Sequence, residues 1–162
     1  EADRADVEAR YADLGLPAEV VAFEHEMPKR YEWADLAICR AGALTVAELA
    51  LAGMPALLVP YPFAADDHQS ANARALEQAG AARSLDAKPL DVNGLAQAVA
   101  EFVTTPGRLV LMREAADRLA RPHAATDIIE HCTARLDGRP PRIQRNDKDH
   151  AIAEGEASCP ES

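Results

Sequence analysis

The sequence is poor in the features that assign a function at first sight. Its three cysteines, Cys39, Cys132 and Cys159, lie far apart and form neither a CxxC pair nor a cluster with histidines. This arrangement argues against a disulfide framework and against structural zinc, and it fits a reducing compartment. GxGxxG, P-loop and GxSxG motifs are also absent, so no common nucleotide or nucleophile signature applies.

Long apolar runs are missing as well. No stretch approaches the roughly 18 consecutive apolar residues that a membrane-spanning helix requires. We therefore expect a cytosolic chain, or one that meets a membrane only peripherally. Aromatic residues make up only 4% of the 162 residues, whereas 48% are hydrophobic. Alanine, leucine and valine must then form most of the core, and wholesale disorder is excluded.

Basic side chains are scarce relative to acidic ones. The chain has 17 Lys and Arg against 27 Asp and Glu, a formal net charge of −10. Each phosphate contact of a polyanion needs a local cation, so this balance disfavours nucleic acid and anionic membrane surfaces as partners. A small phosphorylated ligand stays compatible, because backbone N–H groups at a helix start can hold one anion.

The hydrophobic pattern predicts short strands that alternate with helices. The predicted strands are 19–23, 36–39, 56–59 and 81–84, and the helices among them are 4–14, 27–34, 43–52 and 68–79. Beyond residue 84 we predict helices to about Leu136, with Asp91 and Thr105–Pro106 at two of their starts. Residues 137–162 are predicted to be a disordered tail.

This alternation predicts parallel βαβ units, and hence a Rossmann-like open α/β sheet followed by C-terminal helices. Ligands of such sheets bind beyond the carboxyl ends of the strands. Two loops leave strand ends there and enter helices, 40–42 and 61–67, so any site should use both. Because the chain opens at Glu1 inside a helical pattern, we also expect a missing N-terminal portion.

The first candidate constellation is the segment 40–48, ArgAlaGlyAlaLeuThrValAlaGlu. Small residues at 41–43 allow close approach of a ligand, and the new helix offers N–H groups and its positive dipole end to an anion. Thr45 and Glu48 share a helix face, where the carboxylate could accept two hydrogen bonds from a ribose diol. The alternative is a plain capping arrangement with Glu48 as a surface acid.

The second constellation, 66–72, lies at the start of another helix. Gln69 and Asn72 share one face, and amides suit sugar hydroxyls because each offers a donor and an acceptor. Asp67 is predicted to be the N-cap rather than a metal ligand. His68 is compatible with a general base and with a structural hydrogen-bonding role.

Several motifs together resemble the C-terminal domain of the MurG family of GT-B glycosyltransferases, over about residues 19–136. The resemblance rests on the following motifs: TrpAlaAsp at 33–35, CysArgAlaGlyAlaLeuThrValAlaGlu at 39–48, GlyMetProAla at 53–56, ValProTyrPro at 59–62, HisGln at 68–69 and AsnAla at 72–73. In this family the domain holds the sugar-nucleotide donor, and the helix that begins near Gly42 lies at the nucleotide.

Residue by residue, the resemblance implies that Phe23 and Glu24 meet the uracil, with Met27 nearby. It implies that Leu44 and Thr45 lie beside the diphosphate. Glu48 matches the acid that binds the ribose hydroxyls. The donor-binding residues that we predict are Phe23, Glu24, Met27, Arg40, Gly42, Ala43, Leu44, Thr45, Glu48, His68, Gln69 and Asn72.

Two positions depart from the family pattern. His68 replaces the first residue of a Gln-Gln pair that addresses the N-acetylglucosamine, and Ala41 stands where some relatives have Ser. The family's N-terminal domain, with its acceptor site, membrane-facing patch and proposed base, has no counterpart in the sequence. Neither have the first strand and glycine-rich turn of the C-terminal domain.

The resemblance therefore implies a partial UDP-N-acetylglucosamine-binding domain over 1–136. No catalytic residue, metal or cofactor is predicted in this chain. The implied parent reaction is an inverting transfer of N-acetylglucosamine to a lipid-linked muramyl-pentapeptide, at the cytoplasmic face of the bacterial inner membrane. Two alternatives stay open: a non-catalytic donor-binding subunit of a split transferase, and another GT-B enzyme such as a UDP-sugar 2-epimerase or a natural-product glycosyltransferase.

Overall fold

A computed structural model describes residues 2–61, 67–85 and 92–142. The chain forms two compact units, residues 1–33 and 34–162. The predicted cap Asp91 and most of the predicted 61–67 loop lie outside the described residues. In the described part, no helix is long and apolar enough to cross a membrane.

The first unit holds two helices, α1 (Ala2–Asp13) and α2 (Met27–Trp33). Helix α1 is followed by Gly15 at φ 65°, a left-handed position that glycine adopts without a Cβ clash. The N–H of Leu16 then donates to the Tyr11 carbonyl at 3.0 Å, which satisfies an end carbonyl of the helix. Both helices agree with the predicted ones to within two residues at each end.

The predicted strand at 19–23 is wrong: these residues form neither a strand nor a helix. A strand needs a neighbour to take its backbone hydrogen bonds, and the sheet in the described residues has only β1 (Ala37–Cys39), β2 (Ala56–Leu58) and β3 (Ala82–Ser84). Val21 and Phe23 are 48% and 70% exposed. The β-branched run at 19–23 is thus a wrong sign of strand pairing.

The second unit confirms the α/β prediction. Its three strands form a parallel sheet in the order β1-β2-β3, with Ile38 opposite Leu57 and Leu57 opposite Arg83. The helices of this unit are α3 (Ala43–Leu51), α4 (His68–Gln78), α5 (Val92–Thr104), α6 (Arg108–Leu119) and α7 (Ala124–Leu136). Parallel pairing of consecutive strands requires crossover connections, which α3 and α4 provide.

The core of this unit lies against the central strand. Leu57 of β2, Ala98 and Phe102 of α5 and Met112 of α6 are buried together. Alanines supply much of the rest, at positions such as Ala50. Small side chains let the helices approach the sheet closely, and this compensates for the shortage of aromatic residues.

The last helix, α7, ends at Leu136 as predicted, whereas α6 begins slightly later than predicted. Helix α6 starts at Arg108 after Gly107 at φ 76°, two residues beyond the predicted Thr105–Pro106 opening. The first residues of the predicted tail are tied to α7, because the Arg139 guanidinium bonds the Glu130 carboxylate at 2.5 Å. Residues 143–162 of that tail lie outside the described residues.

Candidate functional site

The β1–α3 loop presents a helix start without a side-chain cap. Gly42 is the N-cap of α3, with φ −63° and ψ 149°, and its carbonyl accepts the N–H of Val46 at 3.0 Å. The N–H groups of the first turn have no carbonyl one turn earlier in the helix. The N-cap glycine offers them no side-chain bond, and N–H groups at a helix start of this kind can hold an anion.

Asn72 links this loop to the next βα unit. Its Nδ2 donates to the carbonyl oxygen of Ala41 at 3.0 Å. Ala41 is fully buried, and a buried carbonyl oxygen needs a hydrogen-bond partner, which Asn72 supplies. The amide predicted to address a sugar therefore has one donor engaged in holding the loop that precedes α3.

Arg40 makes a second link across the carboxyl edge of the sheet. Its Nη1 donates to the carbonyl oxygens of Val59 and Pro60, at 3.0 and 3.1 Å. Its guanidinium carbon also lies 5.6 Å from the centre of the Tyr61 ring, a cation–π distance. Arg40, a predicted donor-binding residue, thus holds the end of β2 against the end of β1.

Gln69 fixes the start of the second loop. Its Oε1 accepts the backbone N–H of Tyr61 at 2.8 Å. Together with Arg40 and Asn72, this bond brings the two loops predicted to share a site to one edge of the sheet. The N-cap position of α4 is occupied by Asp67, as predicted, but with φ 55° and no side-chain capping bond. Its carboxylate instead lies 3.7 Å from Arg74.

The predicted ligand groups on the helices are accessible to different degrees. Leu44 is 74% exposed at the first turn of α3, and Thr45 and Glu48 are half-buried one turn apart. The Thr45 hydroxyl lies 3.5 Å from the place that a Cβ on Gly42 would occupy. His68 is exposed at the first residue of α4.

The first unit holds Phe23, Glu24 and Met27 in one continuous segment. Phe23 is 70% exposed and meets His25 edge-on, with ring centres 4.7 Å apart. The Glu24 carboxylate accepts the N–H of Glu26 at 2.8 Å and also pairs with Arg30. Its side chain is therefore directed back toward α2, while the Phe23 ring is open to solvent.

Arg30 joins two carboxylates of this unit. It pairs with Glu19 through both terminal nitrogens and with Glu24 through Nε. The hydrogen bond from Arg30 lowers the pKa of Glu19, and the Glu26 N–H, followed by Arg30, lowers the pKa of Glu24. Both groups are thus held as carboxylates at neutral pH.

No pattern in the sequence predicts this three-way ion pair or the bracing roles of Arg40 and Asn72. Glu24 and Arg30 are six residues apart with no shared helix face, so no periodicity signals their contact. In the described ranges, no three His, Cys, Asp or Glu side chains are arranged to hold a metal ion.

The parallel sheet and the two braced loops define an α/β domain of the kind that binds its ligand beyond the strand ends. Residues 1–131 match the model of the glycosyltransferase family 28 C-terminal domain. The chain belongs to this family.

Curated relatives narrow the family further. The chain is 50% identical over 122 residues to the UDP-N-acetylglucosamine--N-acetylmuramyl-(pentapeptide) pyrophosphoryl-undecaprenol N-acetylglucosamine transferase of Hahella chejuensis, covering 75% of this chain and 34% of that protein. The protein of the same name in Geobacter sulfurreducens is 44% identical over 134 residues, covering 83% and 37%. The chain thus spans about a third of the length of the relatives it matches.

Solved structures agree with the fold. The crystal structure of Acinetobacter baumannii MurG superposes with a TM-score of 0.72 at 39% identity, covering 78% of this chain and 38% of that one. The glycotransferase of kitacinnamycin matches at a TM-score of 0.52 and 28% identity, covering 70% and 29%. These matches confirm the predicted resemblance to the C-terminal half of a GT-B glycosyltransferase.

Proposed function

We propose that this chain is the donor-binding part of an inverting glycosyltransferase that moves N-acetylglucosamine from UDP-N-acetylglucosamine to a lipid-linked muramyl-pentapeptide. The main support is that relatives with this transferase name share 50% and 49% sequence identity with the chain, over 122 and 125 residues. The product would serve peptidoglycan synthesis at the cytoplasmic side of the bacterial inner membrane, where the protein would be peripheral.

The geometry supports a specific division of roles. The uncapped first turn of α3, after Gly42, would hold the diphosphate and stabilise the departing UDP, since fixed N–H dipoles favour developing negative charge. Glu48 would accept both ribose hydroxyls. Gln69 would address the sugar through its amide NH₂, since its Oε1 accepts the Tyr61 N–H.

In the first unit, we assign the uracil to the segment that carries Phe23 and Glu24. An exposed aromatic ring suits stacking against a base, and backbone N–H and C=O groups can read its edge. The Glu24 carboxylate is excluded from this role, because Glu26 and Arg30 already use it. Base recognition would therefore fall to the ring of Phe23 and to main-chain atoms.

Calorimetric titration of the chain with UDP-N-acetylglucosamine tests the proposal. Glu48→Ala should weaken binding by about tenfold or more, as expected for loss of charge-assisted hydrogen bonds. Glu114→Gln, an exposed carboxylate on α6, is the matched control and should leave the affinity unchanged. Equal affinities for Glu48→Ala and the unsubstituted chain would contradict the ribose assignment.

Turnover provides a second test. The chain spans about a third of its relatives, and we expect it to bind the donor without transferring sugar to a lipid-linked acceptor. Measurable product from this chain alone would contradict that expectation.

The weaker similarity to the kitacinnamycin glycotransferase keeps a natural-product transferase as the second candidate. Product analysis of a longer protein containing this chain, offered each acceptor, separates the two.

A further inference from the structure

A single guanidinium ties both ends of an irregular segment to a helix. Arg30 on α2 donates from Nη1 and Nη2 to the two oxygens of Glu19, at 2.8 and 2.5 Å. Its Nε donates to Glu24. The side chains of Glu19 and Glu24 therefore converge on one cation, although they are five residues apart in the sequence.

The segment between them has little else to fix its backbone. Residues 19–25 belong to no helix or strand. Within this part of the described structure, the second anchor is the bond from the Glu26 N–H to the other Glu24 oxygen. The position of the Phe23 and Glu24 main chain is thus set mainly by one ion-pair network.

Isolated surface ion pairs contribute little, because solvent screens them and the side chains lose freedom. This network differs in its geometry. The guanidinium presents a planar fork that matches the Glu19 carboxylate in a bidentate manner, and the Glu24 side chain is only 19% exposed. Such an arrangement restricts orientation even where its net contribution to global stability is small.

We infer that Arg30 is a positioning residue that sets the base selectivity of the nucleotide site by holding the 19–24 segment. The inference rests on the proposed function, which assigns Phe23 and Glu24 to the base. Uracil and cytosine differ on one edge, where a carbonyl and an N–H replace an amino group and a bare nitrogen. A main-chain donor and acceptor distinguish these edges only if they are held in place. If the 19–24 segment is loosened, the discrimination between uracil and cytosine should fall more than the affinity for the diphosphate.

The test compares UDP and CDP affinities, since the two nucleotides share the ribose and diphosphate. In the unsubstituted chain we expect preference for UDP. Arg30→Gln should reduce the ratio of UDP to CDP affinity by about three- to tenfold, while CDP affinity changes little. Arg10→Gln, which removes an exposed arginine of α1, is the matched control and should keep the full ratio.

Two further variants make the result interpretable if Arg30→Gln folds poorly. Glu19→Gln removes the bidentate partner and leaves Glu24 and its Glu26 bond intact, so it should lower the ratio in the same direction. Arg30→Lys keeps the charge but cannot form the fork, and it should restore the ratio only in part. Trp33, the only tryptophan, lines the same groove as Arg30 and reports local structure by fluorescence.

Salt gives an independent readout. At about 1 M ionic strength, where the screening length falls to roughly 3 Å, the ratio in the unsubstituted chain should fall toward that of Arg30→Gln. The ratio cancels the screening of the shared diphosphate. A merely structural role would lower both affinities together at constant ratio, and that outcome would overturn the inference.

The two proposals fail differently. If the unsubstituted chain binds neither UDP nor UDP-N-acetylglucosamine, the proposed function is wrong and the inference falls with it. If the unsubstituted chain prefers UDP and Arg30→Gln keeps that preference, only the role of Arg30 is refuted.

Discussion

The side-chain amide of Asn72 donates a hydrogen bond to the carbonyl oxygen of Ala41, 3.0 Å away and 31 positions earlier in the chain. This bond joins the start of α4 to the loop that precedes α3. The geometry of two βα loops is thus coupled through one amide. Changes to that amide should therefore affect both stability and ligand binding.

Asn72→Ala is expected to lower the free energy of unfolding by about 1–2 kcal/mol, because it leaves a buried carbonyl without this partner. Donor affinity should fall in the same variant, since the loop before α3 loses its tether. Urea denaturation and calorimetry measure the two effects. Gln78→Ala, at the exposed end of α4, should change neither. Unaltered stability in Asn72→Ala would contradict the bracing role.

Gly42→Ala should separate binding from folding. The backbone of Gly42 has φ −63°, which any residue adopts. Among the described residues, an added Cβ would meet only the Thr45 hydroxyl, at an ordinary 3.5 Å. The free energy of unfolding should therefore change by less than about 1 kcal/mol. The methyl group would nevertheless occupy the space beside the first-turn N–H groups. We expect clearly weaker UDP binding by titration. Unchanged affinity would argue against a diphosphate at this helix start.

Gly53 and Gly107 form a matched pair for backbone strain. Both have positive φ, 58° and 76°, but a Cβ at Gly53 would lie 2.7 Å from Asp117 Oδ1, whereas nothing lies within 4 Å at Gly107. Gly107→Ala should cost about 1 kcal/mol from left-handed strain alone. Gly53→Ala should cost more, by roughly a further 1–2 kcal/mol for the clash. Thermal unfolding of both variants checks the order, and equal losses would show that Asp117 moves aside freely.

Acid should release the ion-pair network of the first unit. The pKa values of Glu19 and Glu24 lie below the ordinary 4.5. Their contribution to stability is therefore complete above about pH 4.5 and is lost as the pH falls through the lowered pKa values. We expect Trp33 emission to change over that acid range.

The control for this titration is Arg30→Gln, which lacks the partner that lowers the Glu19 pKa. Because this variant has no ion pair for acid to break, its Trp33 emission should lack the transition, while Arg10→Gln follows the unsubstituted chain. Coincident transitions for all three chains would mean that the network does not control the environment of Trp33.

Much of the fold was predictable because its signals are local. Helices α3 and α4 are followed by Gly53 and Gly80, and Pro55 prevents α3 from continuing. An apolar run after Gly53 predicts β2, and a short stretch after Gly80 predicts β3. The strand predicted at 19–23 is wrong because a β-branched run becomes a strand only where a neighbouring strand pairs with it. Whether a neighbouring strand is present depends on the tertiary structure, and the composition of the segment does not reveal it.

In the candidate site, too, local features could be predicted from the sequence and long-range contacts could not. The segment 40–48 predicts a ligand-binding helix start through its small residues and polar pattern, which are properties of adjacent positions. The links from Arg40 to Val59 and from Asn72 to Ala41 span 19 and 31 residues. They arise only when parallel strands bring their carboxyl ends to one edge.

The amino-acid sequence by itself determined the α/β class, the order of the helices and the segments that carry the candidate donor-binding residues. The tertiary structure decided which of those side chains are already engaged: Asn72, Gln69 and Arg40 in joining loops, and Glu24 in pairing with Arg30. The physical reason is the sequence separation over which each kind of interaction acts. Capping and periodicity act within a few residues, whereas the hydrogen bonds and ion pairs that shape this site form between residues that only folding brings together.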